Sequence, residues 1–359
     1  MNSTSIKPST TIAASASQAA NSTSTSAPSK KRIVVVCPGR GTYTAETLGY
    51  LKKYKETQKD FLSDLDDRRI QINEPKVTEL DNKDKFSPAL HTRGEHASTL
   101  IYACSYCDFI NISRDKYEIV AVIGNSMGWY ISLALSGALN WQGSFDVIQS
   151  MGSMMKETIV GGQIIYPIVD DDWNLNLDRR NILYETMNRA NGADDSQVYI
   201  SIWLGGYVVL GGNKNGLQFM LKNLPKSGDY PFQLLNHAGF HTPLMFDTSQ
   251  AAFQKISADN FLKPHTPLID GRGHIWQPYS TDLTALYNYT LGHQVYAPYD
   301  FTKSVTVALK EFMPNYLYLL GPGANLGGAI GQILVQNKWK GILNKADFKE
   351  MSKEVLITT

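Results

Sequence analysis

The sequence is poor in cysteine, in net charge and in long apolar runs, and each shortage excludes a class of protein. Only three cysteines occur, Cys37, Cys104 and Cys107, which is too few for a disulfide-held secreted scaffold and favours a reducing, cytoplasmic location. Lys and Arg number 34 against 33 Asp and Glu, for a net charge of +1. No strong basic field is therefore present to bind nucleic acid. No run of about 18 apolar residues occurs, so no membrane span is expected.

The first 30 residues lack acidic side chains altogether, and 22 of the first 29 are Ser, Thr, Ala or Asn. A segment of this composition cannot bury apolar surface, so residues 1–30 are predicted to form a disordered tail. Transit peptides share the serine-rich, acid-poor composition but usually carry several arginines. The first arginine here is Arg32, and an organellar location stays the alternative to a cytoplasmic one.

The rest of the chain has the composition of a folded globular protein, with 43% hydrophobic and 19% charged residues. Two short apolar runs, Arg32–Cys37 and Tyr117–Ile123, each lead into a glycine-containing turn. Such runs are typical of buried strands in a parallel sheet. The second is followed by helical spacing from Trp129 to Leu139, and this order of strand, turn and helix predicts an α/β fold.

A different pattern occupies residues 158–236 and predicts a second module inserted into the first. Its element order, βαββαβ, is typical of a ferredoxin-like unit. The catalytic core is then expected at residues 31–157 and 237–345, with a C-terminal tail at 346–359. The predicted elements of the module are strands at Gln163–Val169, Gln197–Leu204, Tyr207–Gly212 and Pro231–Asn236 and helices at Arg179–Ala190 and Asn215–Leu224.

The turn after the second strand reads Gly-Asn-Ser-Met-Gly at positions 124–128 and matches the G-x-S-x-G nucleophile elbow. In that motif the serine hydroxyl projects from a tight strand-to-helix turn, which makes Ser126 the candidate nucleophile. A serine nucleophile needs a base, and any of the seven histidines could serve, since triad partners meet in space rather than in sequence. His237 and His241 stand out because they follow the last strand of the inserted module.

Five segments, in order, resemble motifs of the malonyl-CoA:acyl-carrier-protein transacylases and the related acyltransferase domains of fatty-acid and polyketide synthases. The family motifs are F-P-G-Q-G-S, G-H-S-x-G, A-F-H-S-x-x-M, Q-l-x-x-P-V-x-W-x-x-S-V and G-P-G. The resemblance extends from about Arg32 to Leu334. The corresponding segments here are Cys37–Thr42, Gly124–Gly128, Ala238–Met245, Gln294–Val305 and Leu320–Gly323.

The resemblance implies an α/β-hydrolase-like core with an inserted ferredoxin-like subdomain, and a reaction that passes through an acyl-serine. Ser126 would attack an acyl-CoA thioester, with His241 as a base oriented by backbone carbonyls. The backbone N–H groups of Met127 and Arg40 would form the oxyanion hole. The acyl group would then pass to the phosphopantetheine thiol of an acyl carrier protein. No bound cofactor and no metal is implied, and a monomer is expected.

One departure from the family pattern concerns the acyl group. Members that use malonyl groups carry an arginine in an R-G-x-x-M segment after the elbow, where it pairs with the free carboxylate. The residue at that position here is Met151, which cannot pair with a carboxylate, so a neutral acyl group, acetyl or longer, is predicted in place of malonyl. Arg40, which replaces the family's glutamine, is the alternative partner for a carboxylate.

Further departures concern the predicted lining of the substrate pocket. Asn125 stands at the family's histidine position, Trp129 at its glutamate position and Trp203 in its Asn-x-Pro-x-Gln segment. Together with Phe240 and Met151 these side chains are predicted to bind the substrate, although both tryptophans could instead pack in cores. Two alternatives to the transferase stay open: a thioester hydrolase of the same fold, and a non-catalytic protein that docks on a carrier.

Overall fold

The computed structural model describes residues 29–157 and 159–359, so the tail predicted at residues 1–30 lies almost wholly outside the described residues. The strands of the described part are, in chain order, β1 (Lys31–Cys37), β2 (Tyr117–Gly124), β3 (Gly162–Pro167), β4 (Val198–Leu204), β5 (Tyr207–Gly212), β6 (Phe232–Leu234), β7 (Leu268–Ile269), β8 (Ile275–Trp276), β9 (Tyr299–Asp300), β10 (Tyr316–Leu319) and β11 (Leu356–Thr358).

The helices of the described part lie between these strands, several of them in succession after β1. They are α1 (Lys59–Gln71), α2 (Val77–Asp81), α3 (Pro88–His91), α4 (Gly94–Ile110), α5 (Gly128–Leu135), α6 (Trp141–Ser153), α7 (Leu177–Asn191), α8 (Lys214–Asn223), α9 (Phe246–Lys255), α10 (Leu283–Asn288), α11 (Gln294–Tyr296), α12 (Phe301–Phe312), α13 (Leu326–Gln336) and α14 (Lys345–Val355). A π-helical turn, Tyr289–His293, joins α10 to α11. Among the described residues, none of the helices combines the length and apolarity that a bilayer crossing requires.

The larger sheet has the strand order β11-β10-β1-β2-β7-β8. Neighbouring strands are parallel except at the β7–β8 hairpin on one edge. In β1 every residue from Ile33 to Cys37 is buried, as expected for a strand covered on both faces. The two strands predicted from the apolar runs Arg32–Cys37 and Tyr117–Ile123 are confirmed, and helix α5 follows β2 directly.

The second sheet is built mainly by the inserted segment and has the strand order β6-β3-β5-β4-β9. Its first four strands pair in antiparallel fashion, and the chain order β3-α7-β4-β5-α8-β6 is the βαββαβ order predicted for residues 158–236. Leu183 of α7 and Met220 of α8 join Ile164 of β3 in a buried cluster separate from the main core. Strand β9, which belongs to the returning core chain, pairs in parallel with β4.

The C-terminal segment is part of the core, so the expectation of a tail at residues 346–359 is wrong. Helix α14 and strand β11 occupy it, and β11 extends the larger sheet by pairing in parallel with β10. Two hydrophobic side chains of the segment, Phe348 and Val355, are buried. The backbone pairing of an edge strand leaves little trace in composition, which explains the error.

A buried carboxylate ties this last strand to the rest of the core. The side chain of Asp108, on α4, is fully buried and accepts hydrogen bonds from the hydroxyls of Tyr50 at 2.8 Å and Tyr54 at 2.5 Å. It also accepts from the backbone N–H of Gly321 and the hydroxyl of Thr359, both at 2.7 Å. Four donors from three separate segments thus converge on one side chain.

Removing this acceptor is expected to destabilise the protein strongly. In Asp108→Ala the four donors lose their partner, and we expect the free energy of unfolding to fall by about 3–5 kcal/mol. Equilibrium urea denaturation measures the change. The exposed Asp115 supplies the control, since Asp115→Ala is expected to shift the free energy of unfolding by no more than about 0.5 kcal/mol. Equal, small losses in both variants would contradict the role assigned to Asp108.

Candidate active site

Ser126 lies in a sharp turn between β2 and α5 that only glycine neighbours permit. Its own φ is 55°, in the left-handed region that non-glycine residues seldom adopt. A Cβ atom on Gly124 would lie 2.1 Å from the backbone of Gly128, and one on Gly128 would lie 2.4 Å from the carbonyl oxygen of Cys37. Both positions must therefore be glycine for β1, β2 and α5 to meet here, as the G-x-S-x-G pattern predicts.

The turn places Ser126 against His241. The Oγ of Ser126 lies 2.7 Å from Nε2 of His241, and Nδ1 of His241 lies 2.7 Å from the backbone carbonyl oxygen of Gln294. A carbonyl oxygen only accepts, so Nδ1 must carry the proton, and in the neutral ring Nε2 is then the acceptor that faces the serine hydroxyl. The backbone carbonyl sets the tautomer that a general base for Ser126 requires.

Gln294 holds both members of this pair, and sequence reasoning assigned it no role. Its side-chain amide donates to the backbone carbonyl of Ser126 at 2.9 Å, while the next residue, Val295, accepts the backbone N–H of His241 at 2.7 Å. Gln294 directly follows the π-helical turn at Tyr289–His293, a feature often found at functional sites. The sequence signal that could have identified Gln294 was a polar residue at the end of a helical pattern.

The second candidate base, His237, does not contact Ser126. Its Nδ1 lies 2.9 Å from Oε1 of Gln163, and burial lowers its pKa, as do the charges of Arg40 and His241. His241 itself is only 2% exposed. Burial lowers the pKa of His241 to about 4, against the opposing effect of the Gln294 hydrogen bond. At neutral pH the ring is therefore uncharged and able to accept a proton.

A small cavity adjoins the pair, and it is lined by two of the five side chains predicted to bind the substrate. Met151 and Phe240 line it together with Ser126 and His241. Its volume is about 30 Å³, which accommodates about two water molecules. The remaining lining residues are Arg40, Ser98, Met127, Tyr130, Gly152 and Gln294.

Three of the predicted substrate-binding residues lie elsewhere, and we correct those assignments. Trp129 is fully buried, its indole N–H donates to Thr290 at 3.1 Å, and its ring packs edge-on against Tyr289, so it packs in the core. Trp203 packs against the separate core of the inserted module. Asn125 lies under the elbow, where its backbone N–H donates to Cys37. A helix start turns successive side chains to different sides, which a linear motif does not reveal.

The backbone donors predicted for an oxyanion hole are free. Met127, at the start of α5, and Arg40 both line the cavity. Within residues 29–157 and 159–359, neither backbone N–H donates a hydrogen bond to another group of the protein. Helix N-termini suit a developing negative charge. Among the same residues, no group of three or more His, Cys, Asp or Glu side chains is arranged to hold a metal ion.

The depressed pKa of His241 predicts an unusual pH profile for the reactivity of Ser126. With a pKa of about 4, the base form still dominates at pH 5.5, so the rate of labelling by a fluorophosphonate should fall less than about twofold between pH 7.5 and 5.5. An imidazole with the ordinary pKa of about 6.5 would lose roughly tenfold over that interval. Intact mass spectrometry follows the labelling, with His241→Ala as the control; a tenfold loss in wild type would contradict the burial argument.

No protein-family model matches the sequence, and no curated protein matches it. Solved structures do match in fold. A malonyl-CoA:acyl carrier protein transacylase from Xanthomonas oryzae pv. oryzae superposes with a TM-score of 0.69 at 19% identity, covering 89% of this chain and 96% of that one. The corresponding enzyme from Streptococcus pneumoniae gives a TM-score of 0.67 at 18% identity, covering 92% and 96%.

A third solved structure is the acyltransferase domain from the second module of the salinomycin polyketide synthase. It superposes with a TM-score of 0.67 at 16% identity, covering 92% of this chain and 68% of that one. At such identities the likeness concerns the fold. The chain therefore has the fold of malonyl-CoA:acyl-carrier-protein transacylases and polyketide synthase acyltransferase domains, and the resemblance first suggested by its motifs is confirmed at that level.

Proposed function

We propose that the protein is an acyl-CoA:acyl-carrier-protein S-acyltransferase that works through a Ser126–His241 dyad. The arrangement that supports this most is the 2.7 Å contact between Ser126 Oγ and His241 Nε2, with the other ring nitrogen held by a backbone carbonyl. The strand order β6-β3-β5-β4 of the smaller sheet and the parallel larger sheet also suit a ferredoxin-like module inserted in an α/β-hydrolase-like core.

In the first half-reaction, Ser126 Oγ attacks the thioester carbonyl while His241 Nε2 takes the hydroxyl proton. The carbonyl oxygen becomes an oxyanion, which the backbone N–H groups of Met127 and Arg40 are free to bind. The C–S bond then breaks, and the imidazolium returns the proton to the departing CoA thiolate. The product is an acyl ester of Ser126.

In the second half-reaction, a phosphopantetheine thiol of a carrier protein attacks that ester, and His241 again takes and returns the proton. A solved structure of similar fold, at 17% identity and a TM-score of 0.67, holds a type II polyketide synthase acyl-carrier protein in complex with its malonyl-transacylase. The extent of the match, 85% of this chain, favours a carrier protein as acceptor here too.

The acyl group is proposed to be small and neutral. Met151 is 3% exposed and lines the cavity beside Ser126, at the position where the resemblance implies a carboxylate-binding arginine. A thioether offers a carboxylate no hydrogen bond, and an ionised group left unpaired beside buried apolar side chains is disfavoured. The cavity volume of about 30 Å³ restricts the acyl chain to a few atoms unless side chains move.

Acyl transfer predicts a covalent intermediate that a carrier protein discharges. On incubation with acetyl-CoA, wild type should gain one acetyl group on Ser126, and Ser126→Ala should gain none, as read by intact mass. Ser132→Ala, which alters a buried serine of α5 whose hydroxyl bonds the Trp129 carbonyl, is the matched control and should load normally. Addition of holo carrier protein should then remove the acetyl group at least about tenfold faster than buffer, since a thiol attacks the ester directly.

The outcome of the chase separates the alternatives. Rapid loss of the acetyl group in buffer, without acceleration by carrier protein, would establish a thioester hydrolase and overturn the transferase. Absence of any adduct with every acyl-CoA would favour a non-catalytic docking protein.

The identity of residue 151 is expected to set the preference between neutral and anionic acyl groups. Met151→Arg should raise the malonyl-to-acetyl loading ratio at least about tenfold, because the guanidinium can form a bidentate pair with the malonyl carboxylate. Met154→Arg places the same charge on the residue that directly follows α6, outside the cavity, and should leave the ratio unchanged. A wild-type preference for malonyl-CoA would contradict the role given to Met151.

A further inference from the structure

Ser98 on α4 is a buried serine whose hydroxyl has no partner. The residue is 1% exposed, and its Oγ makes no hydrogen bond within the part of the chain that the structure describes. Serines inside helices commonly donate back to a carbonyl one turn earlier, but this one does not. Ser98 instead lines the cavity that holds Ser126 and Met151, so its free hydroxyl borders the space proposed for the acyl group.

Arg40, which also lines the cavity, carries a second unpartnered polar atom. Its two terminal nitrogens are engaged: one donates to Met155 Sδ at 3.4 Å, and the other to the carbonyls of Thr92, at 3.1 Å, and Asn236. The remaining donor, Nε, is buried without a partner among the described residues.

The engaged donors decide what kind of ligand this arginine can bind. Side-on bidentate binding of a carboxylate requires Nε together with the adjacent terminal nitrogen. In Arg40 one terminal nitrogen already serves Thr92 and Asn236. The donor that remains, Nε, is suited to a single hydrogen bond with a neutral oxygen. Burial also lowers the pKa of Arg40 to about 10, which Glu95 partly opposes, so the group stays protonated at neutral pH and Nε remains a donor.

We infer that the acyl group transferred by this protein carries a neutral oxygen on its β-carbon, which binds the Ser98 hydroxyl and Nε of Arg40. The inference rests on the proposed function and names its substrate class: short acyl thioesters with a β-hydroxyl or β-oxo group. Buried polar groups are rarely left unpaired in folded proteins, and one oxygen with two lone pairs would satisfy both. The volume of about 30 Å³ accommodates about two or three non-hydrogen atoms beyond the thioester carbonyl, which places the oxygen at the β-carbon.

Three acyl-CoA esters of matched size test this substrate class. In 3-hydroxypropionyl-CoA the β-carbon carries a hydroxyl, in butyryl-CoA a methyl group of similar volume, and in malonyl-CoA the β-carbon is a carboxylate. Acylation of Ser126 is measured for each by intact mass, with acetyl-CoA in parallel. We expect wild type to prefer 3-hydroxypropionyl-CoA over butyryl-CoA by at least about tenfold in kcat/KM, because hydrogen bonds that involve a charged donor discriminate by that amount or more.

Variants of Ser98 and Arg40 test whether the preference for 3-hydroxypropionyl-CoA arises in the cavity. Ser98→Ala should bring the 3-hydroxypropionyl-to-butyryl ratio towards unity while acetyl loading persists. Arg40→Lys retains the charge and the backbone N–H but has no Nε donor, and it should also lower the ratio. Ser105→Ala is the control on the same helix: its hydroxyl is bonded to the Gly321 carbonyl and lies outside the cavity, so the ratio should not change.

The result that overturns this inference differs from the one that overturns the proposed function. Efficient acetyl loading with a ratio near unity, or a ratio that Ser98→Ala leaves unchanged, would show that the two polar groups do not bind the acyl chain. A preference for malonyl-CoA would show that the site binds a carboxylate, and would also overturn the inference. Absence of loading by every acyl-CoA, acetyl-CoA included, would overturn the transferase proposal and this inference with it.

Discussion

The hydrogen bond from Nδ1 of His241 to the backbone carbonyl of Gln294 is the interaction on which the candidate site depends. It fixes the ring tautomer, so that Nε2 faces Ser126 as an acceptor. The side chain of Gln294 also donates to the backbone carbonyl of Ser126, so one residue positions both Ser126 and His241. A backbone carbonyl orients the imidazole without adding a buried negative charge, and burial can then keep the ring neutral.

Burial also determines the character of the cavity beside Ser126. Apolar side chains such as Met151 and Phe240 line most of it, and the one cation at its edge, Arg40, is held by carbonyls of two separate segments. Thr92 precedes α4 in the core and Asn236 follows the last strand of the inserted module, so Arg40 links the two parts of the molecule next to Ser126. A cation held in this way has few donors left for a ligand.

Local sequence signals predicted those parts of the fold that depend on local physics. Apolar runs located β1 and β2 because strands buried on both faces need continuous apolar side chains. The bounds of β5, Tyr207–Gly212, agree with those predicted, since glycine marks both ends of this strand. The C-terminal strand β11 was missed because edge pairing is made by the backbone, and Trp129 was misplaced because helix geometry turned it into the core.

By itself the sequence determined the elbow, because Gly124 and Gly128 are sterically required wherever β2 turns into α5 around Ser126. Among seven histidines it drew attention to His237 and His241 in one loop, and the motif resemblance favoured His241 as the candidate base. The tertiary structure decided what spacing along a chain cannot express. It placed the backbone carbonyl of Gln294, 53 residues away in sequence, in contact with His241. It also placed His237 against Gln163. Beside Ser126, it left Ser98 and Arg40 each with an unpartnered polar atom. Such contacts depend on how separate segments pack, and only the folded chain specifies that.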